Sequence, residues 1–213
     1  MGSEAKAINA SGEVAGEVNS VVNNSLIPYA AVWDLSGALR GLDQTPGHLT
    51  RAAAIADNGT VLVERTVPAD TAPVGSLELH ANGRITVLTP PSPGDVFAAV
   101  NKRSLSADGS TVVGSWVMAP TPGNDPVLHA FMHQQGLTQD LTDLARAKGV
   151  NLHAGTYFSA AAGVNAKGVD LGHIRGFNGI EAGTGAINDG ALTHKGPAYS
   201  ASTLAHVRQI GWG

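Results

Sequence analysis

An all-β fold built from repeated pairs of hairpins is what this sequence predicts, and three observations carry that expectation. A short turn segment ending in glycine recurs along the chain, with its glycine at positions 12, 59, 109 and 168, so the copies are spaced by 47, 50 and 59 residues. Apolar residues around these turns alternate at period two, the period of a half-buried strand. Gly (27) and Pro (11) together make about 18% of the 213 residues, against roughly 12% in average usage, a composition suited to short strands and tight turns rather than helices.

The repeat governs the whole fold. Ala7–Gly16, Ala54–Val63, Ser104–Gly114 and Gly163–Gly168 each run from apolar residues through a small polar pair into a turn; in the first three an alternating strand follows. A weaker fifth copy, Ala186–Gly190, comes only 22 residues later. Asn, Asp and Gly supply the positive-φ positions of such turns, so Gly12, Gly59, Gly109 and Gly168 are expected to be structural turn residues.

A second hairpin follows in each complete unit. Ala30–Trp33 returns as Ala38–Arg40, Ser76–His80 returns through Ala81–Gly83 as Arg84–Leu88, and Leu128–His133 returns through Gln134–Gly136 as Leu137–Thr138. Four short strands per repeat match one propeller blade. The recurring order of the two hairpins favours propeller-like repeats of antiparallel four-stranded blades over an ordinary β-sandwich. The alternating residues Val14, Val32, Ile55, Val61, Leu79, Ile85, Val87, Leu105, Val112 and Phe131 are the expected core.

The expected blades lie near 5–50, 51–100 and 101–150, with a partial one at 159–168, all within a repeat region 1–168. The fourth unit breaks off at Gly168–Gly172, where a strand pair is missing. Residues 169–213 read as a Gly-rich tail that regains alternation only at Thr203–Ile210, one terminal strand that either stands alone or completes the last blade. Three full blades do not close a ring, since propellers typically need four to eight. The chain is therefore expected to be a fragment of a longer protein, an open propeller, or a protomer whose homo-oligomer completes the ring.

One short connecting helix is expected over Leu141–Lys148, with Leu141, Leu144 and Ala145 on one face and Gly149 as its stop. Asp140 and Asp143, three apart at its start, fit capping of free amides better than paired catalytic carboxylates. Thr66–Pro73 and Ala119–Pro126, rich in Pro, Asp and Gly, read as exposed connections.

Composition narrows the function. With no Cys, disulfide frameworks and thiolate chemistry are excluded. The net charge of −4 without a basic cluster argues against nucleic acid or an anionic membrane surface. No apolar run approaches the ~20 residues of a membrane span, and no signal peptide opens the chain. Met1–Ser3 reads as the start of a piece excised from a longer protein.

The turn-and-strand pattern of Ala5–Gly16, and of Ser104–Gly114 followed by His129-Ala130-Phe131, resembles the HAF-type extracellular repeat family of bacterial surface and secreted proteins, some of them autotransporter passengers. Asp140–Leu144 through Gly149–Leu152 to Ala162–Asn165 is similar to the segment that joins late repeats. The resemblance covers residues 5 to about 168. Unit one departs from it with Tyr29–Trp33 where His-Ala-Phe is expected, and unit two with Leu77–His80. The resemblance implies a non-enzymatic extracellular or cell-surface binding or scaffold module, with His129 as a structural histidine buttressing its blade. The alternative is a carbohydrate-binding lectin or a carbohydrate-active enzyme on the same scaffold. A third reading is a passenger segment with no ligand of its own.

Chemistry-bearing residues are sparse. His129 and His133 are four apart, but in a strand their Cα atoms are about 13 Å apart at roughly 3.3 Å per residue, too far to share an ion; no metal and no cofactor are expected. His153, His173, His194 and His206 show no short ligand spacing, and no catalytic residue is assigned. Gly183-Thr184-Gly185 lacks the third glycine and the βαβ context of a phosphate loop. Asn23–Ser25 and Asn58–Thr60 match the glycosylation pattern, with Asn58 explained by its turn. Trp33 and Phe131 are expected between sheets. Trp116, beside the Ala119–Pro126 loop, is the expected exposed platform for a glycan or protein ligand, with His133, which replaces the usual aromatic, as the second candidate ligand-binding residue.

Overall fold

In the computed structural model the described residues are mostly strand, with one short helix. The structure describes residues 2–45, 47–67, 74–97, 103–118, 127–150, 152, 155–165, 168–175, 181–188 and 191–195, with 67, 74, 165 and those from 168 on described by backbone. The connections 68–73 and 119–126, the strand expected at 203–210, and His153, His206 and Trp212 lie outside them.

The first sheet runs β1 (Ser3–Ile8), β2 (Val14–Val22), β3 (Ser25–Trp33) and β4 (Leu39–Gly41), hydrogen-bonded in chain order. The second repeats that order with β5 (Leu49–Ile55), β6 (Val61–Val67), β7 (Val74–Ala81) and β8 (Arg84–Leu88). In the third, β9 (Val96–Phe97) and β10 (Ser104–Leu105) both pair with β11 (Thr111–Val117), followed by β12 (Leu128–Gln134) and β13 (Leu137–Asp140). Next come α1 (Leu141–Ala147) and a fourth sheet of β14 (Tyr157–Asn165), β15 (Gly168–Arg175), β16 (Glu181–Asn188) and β17 (Ala191–Lys195). Apart from the short β10–β11 contact, the pairings among the described residues are antiparallel.

The fourth sheet corrects the expected break at Gly168 and the expected tail. Gly168 opens β15 opposite Asn165, and two further strands, β16 and β17, follow in the stretch read as aperiodic. The reason is compositional: Glu181–Gly185 carries no apolar alternation to detect.

Local chemistry explains the turns. Gly12, Gly59 and Gly109 have φ of 78°, 80° and 74°. The β2–β3 hairpin turns on Asn23 and Asn24, both at positive φ (49° and 64°), the two-residue turn whose twist matches paired strands. The Asn23–Ser25 pattern therefore has a structural use. A bulge recurs at matching repeat positions, between Ala5 and Ala7, Ala52 and Ala54, and Ala161 and Gly163. At the first of these, opposite Ala5, a Cβ on Gly16 would stand within bonding range of the Glu4 carbonyl oxygen, so only glycine fits.

The chain divides into two compact units, Met1–Thr89 with Leu105–Ser110, and Pro90–Ser104 with Thr111–Gly213. The first packs Ala15, Ala30, Val32, Ala52, Ile55, Val61 and Val63 between its sheets. The second packs Val113, Ala130, Met132, Leu141, Ala145, Val150, Phe158 and Ala161. Helix α1 is capped by Asp140, whose side chain accepts from the Thr142 and Asp143 amides, and Gly149 at φ 84° follows its end. Of the expected core, Ile85 and Val87 are exposed, and Val14 and Leu79 are half-buried. Strand β8 lies at the edge of its sheet and buries only Leu88, so alternation there marks strand but not core.

In the first unit, successive repeats are bonded turn to turn. Asn9 Nδ2 donates to the Ala56 carbonyl and the Ala10 amide to Asp57 Oδ1, each across 47 residues. One repeat on, the Asp57 amide donates to the Ala107 carbonyl at 2.8 Å, and Asn58 Nδ2 to the Asp108 carbonyl at 2.7 Å across 50 residues. The separations are those of the turn glycines.

Candidate functional site

The chemistry-bearing residues of the second unit gather where β11, β12, β13 and α1 meet. Strand register sets Trp116 directly opposite His129, and their rings pack at 5.3 Å between centroids with a 52° tilt. Tyr157, at the start of β14, stacks on His129 at 4.7 Å and 8°. The imidazole thus packs against two aromatic rings.

Asp140 holds the imidazole by its edge. Its Oδ2 lies 2.5 Å from His129 Nδ1, while its Oδ1 accepts from the Thr142 amide at 2.7 Å. Burial pushes the Asp140 carboxyl up. The hydrogen bond and charge of His129, with the Thr142 contacts, outweigh it and hold the group below the ordinary aspartate value. An ionised carboxylate only accepts, so His129 Nδ1 carries the proton of this bond.

A cavity of about 600 Å³ opens beside the pair, lined by Trp116, Met118, His129, Asp140, Asp143 and Arg146 among others. Arg146 is anchored by donation from Nη2 to the Thr156 carbonyl at 3.0 Å. The volume falls within the range of small-molecule sites, about 300–1,000 Å³. A carboxylate-oriented imidazole among aromatic rings can hydrogen-bond hydroxyl or carbonyl groups of a ligand, and beside a nucleophile could move a proton.

Two expected site residues stand differently from their sequence reading. Trp116 is not an exposed platform: it retains 4% of its exposure, and its Nε1 is buried without a hydrogen-bond partner among the described residues. It contributes to the cavity wall from within the sheet, where Phe97 of β9 and His129 of β12 are its ladder partners. His133 does not line the cavity. It is buried at 6%, hydrogen-bonded through Nδ1 to Thr138 Oγ1, and burial pushes its pKa down.

His129 is half-buried, and the carboxylate that orients it, Asp140, lies eleven residues on rather than close in sequence. The hairpin turn at Gln135–Gly136 places Phe131 opposite Asp140, so His129 and Asp140 are diagonal neighbours across the ladder. Counting register back from that turn was the signal that could have found the pair. His173 and His194 fall in β15 and β17, whose side chains lie outside the described residues. Among the described residues no group of three or more His, Cys, Asp or Glu is placed to hold a metal ion. No helix among them is long and apolar enough to cross a membrane.

No family model matches the chain, and no curated protein matches it. A search of solved structures finds similarity to the crystal structure of TolB from Acinetobacter baumannii, at 17% identity and a TM-score of 0.40, covering 82% of this chain. The chain spans 41% of the length of that structure.

Proposed function

We propose that the chain is a non-enzymatic binding or scaffold module of a bacterial surface or secreted protein, its four-stranded sheets acting as blades of a propeller-like array. The observation that carries this reading is the turn-to-turn bonding at repeat spacing, Asn9 and Ala10 to Ala56 and Asp57, then Asp57 and Asn58 to Ala107 and Asp108. Such contacts join each repeat to the next and suit a rigid support for binding loops. The extracellular location rests on the resemblance of Ala5–Gly16, Ser104–Gly114 and His129–Phe131 to HAF-type repeats.

A second reading, a carbohydrate-binding lectin or carbohydrate-active enzyme, is favoured by the cavity beside Trp116, His129 and Asp140. A glycan array run with a reducing-end release assay separates the two. Release of reducing ends that is lost on His129→Gln overturns the non-enzymatic reading, and saturable glycan binding without release identifies a lectin. Antibody labelling of intact cells tests location; signal only after permeabilisation overturns a surface role.

A further inference from the structure

The first unit holds a cavity of about 440 Å³ whose charged lining residues are all basic. Arg40 on β4, His80 on β7 and Arg84 on β8 line it, with Asn58 and Asn82 among the polar residues and, among the described residues, no Asp or Glu in its wall. In a chain of net charge −4 this is a local reversal of sign. Both arginines are exposed and make no ion pair among the described residues, whereas Arg51 and Arg65 make close carboxylate contacts.

His80 is built into this wall rather than lying on it. Its side chain is 9% exposed, and Nε2 donates to Glu78 Oε2 at 2.9 Å, which directs the ring. Glu78 is fully buried. Its other oxygen lies 2.6 Å from Arg65 Nη2, an ion pair bent away from hydrogen-bond geometry. The Glu78 charge is therefore engaged beneath the cavity. Two further acids lie near the adjoining turns, Glu13 hydrogen-bonded by Asn9 Nδ2 and Asp57 by the Ala10 amide. These neutral donors fix the two carboxylates in place without cancelling their charge, but neither acid is part of the wall, which carries the two guanidinium groups.

We propose that this cavity is a binding site for a phosphate or sulfate group carried on a larger organic body. A concave wall of one sign concentrates potential and attracts the opposite charge. Guanidinium forks match oxyanions, and two of them arriving from different strands, Arg40 from β4 and Arg84 from β8, suit the several oxygens of a tetrahedral group better than a single planar carboxylate. The volume equals that of roughly fifteen waters at about 30 Å³ each, more than a bare oxyanion needs, so an ester such as a sugar phosphate or sugar sulfate fits the space. The site is separate from the His129 cavity and does not depend on the reading of that one.

Titration of the whole chain with inorganic phosphate, inorganic sulfate, glucose 6-phosphate, glucose 6-sulfate and glucuronate tests the proposal by calorimetry and by amide chemical shifts. The expected result is one saturable site, tighter for the esters than for the inorganic ions and at least tenfold weaker for glucuronate. Arg40→Gln with Arg84→Gln weakens it at least tenfold, while Arg146→Gln in the second unit leaves it unchanged. In the unmutated chain the amides of Gly41, Gly59 and Gly83 shift on binding, a readout that does not require any variant to fold. Absence of saturable binding, shifts confined to other residues, or binding indifferent to the double substitution overturns it. The preferred ester identifies whether the natural ligand is phosphorylated or sulfated.

Discussion

Replacing Gly109 by alanine tests the turn-to-turn bonding that joins the repeats of the first unit. Gly109 has φ 74° in the turn between β10 and β11, where an L-residue costs about 1 kcal/mol. A Cβ there would also stand 3.0 Å from Asn58 Nδ2, Asn58 Oδ1 and Thr60 Cβ. Asn58 cannot easily yield, because its Nδ2 donates to the Asp108 carbonyl and its Oδ1 accepts from the Thr60 amide. Displacing it weakens those bonds, adding about 1–2 kcal/mol. Gly37 is the matched control: φ is 81°, and nothing lies within 4 Å of a Cβ placed there. Gly37→Ala should therefore cost only the backbone term. At about 2–4 °C per kcal/mol for a chain of this size, thermal melts should show Gly109→Ala falling by about 4–12 °C and Gly37→Ala by about 2–4 °C. Equal losses in the two variants would mean that the contact between repeats contributes nothing, and would refute the reasoning.

The other predictions concern charge, the core and the cavity wall. Asp140 has a folded pKa below its unfolded value of about 3.9, so its stabilisation is present above that pH and lost as pH falls through the folded value; acid unfolding followed below pH 4 should be shallower in Asp140→Asn. His133 has its folded pKa pushed down by burial, so the unfolded chain binds the proton first and stability declines as pH falls below about 6.5. His133→Gln should flatten a stability profile between pH 5 and 6.5, and an unchanged slope would remove His133 as its source. Leu62→Ala, at a fully buried site, should cost about 2–5 kcal/mol in denaturant unfolding. Ile85→Thr, at an exposed edge-strand site, should stay within about 0.5 kcal/mol. Trp116→Ala should destabilise the chain by about 3–5 kcal/mol, whereas an exposed platform would lose ligand binding with little change in stability.

The repeat was legible in the chain because turns are local. The recurring glycines and the Asn-Gly and Gln-Gly pairs need positive φ, and that requirement is visible in a few adjacent residues. The α1 helix was legible for the same reason, since Asp140, the Leu141-Leu144-Ala145 face and Gly149 carry its start, packing side and stop. Alternation located β7 and β8 but not what covers them, so Ile85 and Val87 were read as core although their strand ends at a sheet edge. Strand β16 was legible only at its end, in the weak copy Ala186–Gly190, because Glu181–Gly185 shows no apolar alternation.

The sites show the same division more sharply. Sequence pattern singled out His129 and Trp116, but Trp116 is buried, with ladder partners distant in sequence, Phe97 on β9 and His129 on β12. Contact between His129 and Asp140 depends on hairpin register, and the gathering of Arg40, His80 and Arg84 joins residues from three strands of two sheets. None of these is a property of neighbouring residues. The sequence by itself determined where the chain turns and which stretches pair as hairpins, because backbone sterics act within a few residues. The tertiary structure decided which faces are covered and which charges meet, because burial and electrostatics are set by distance in space.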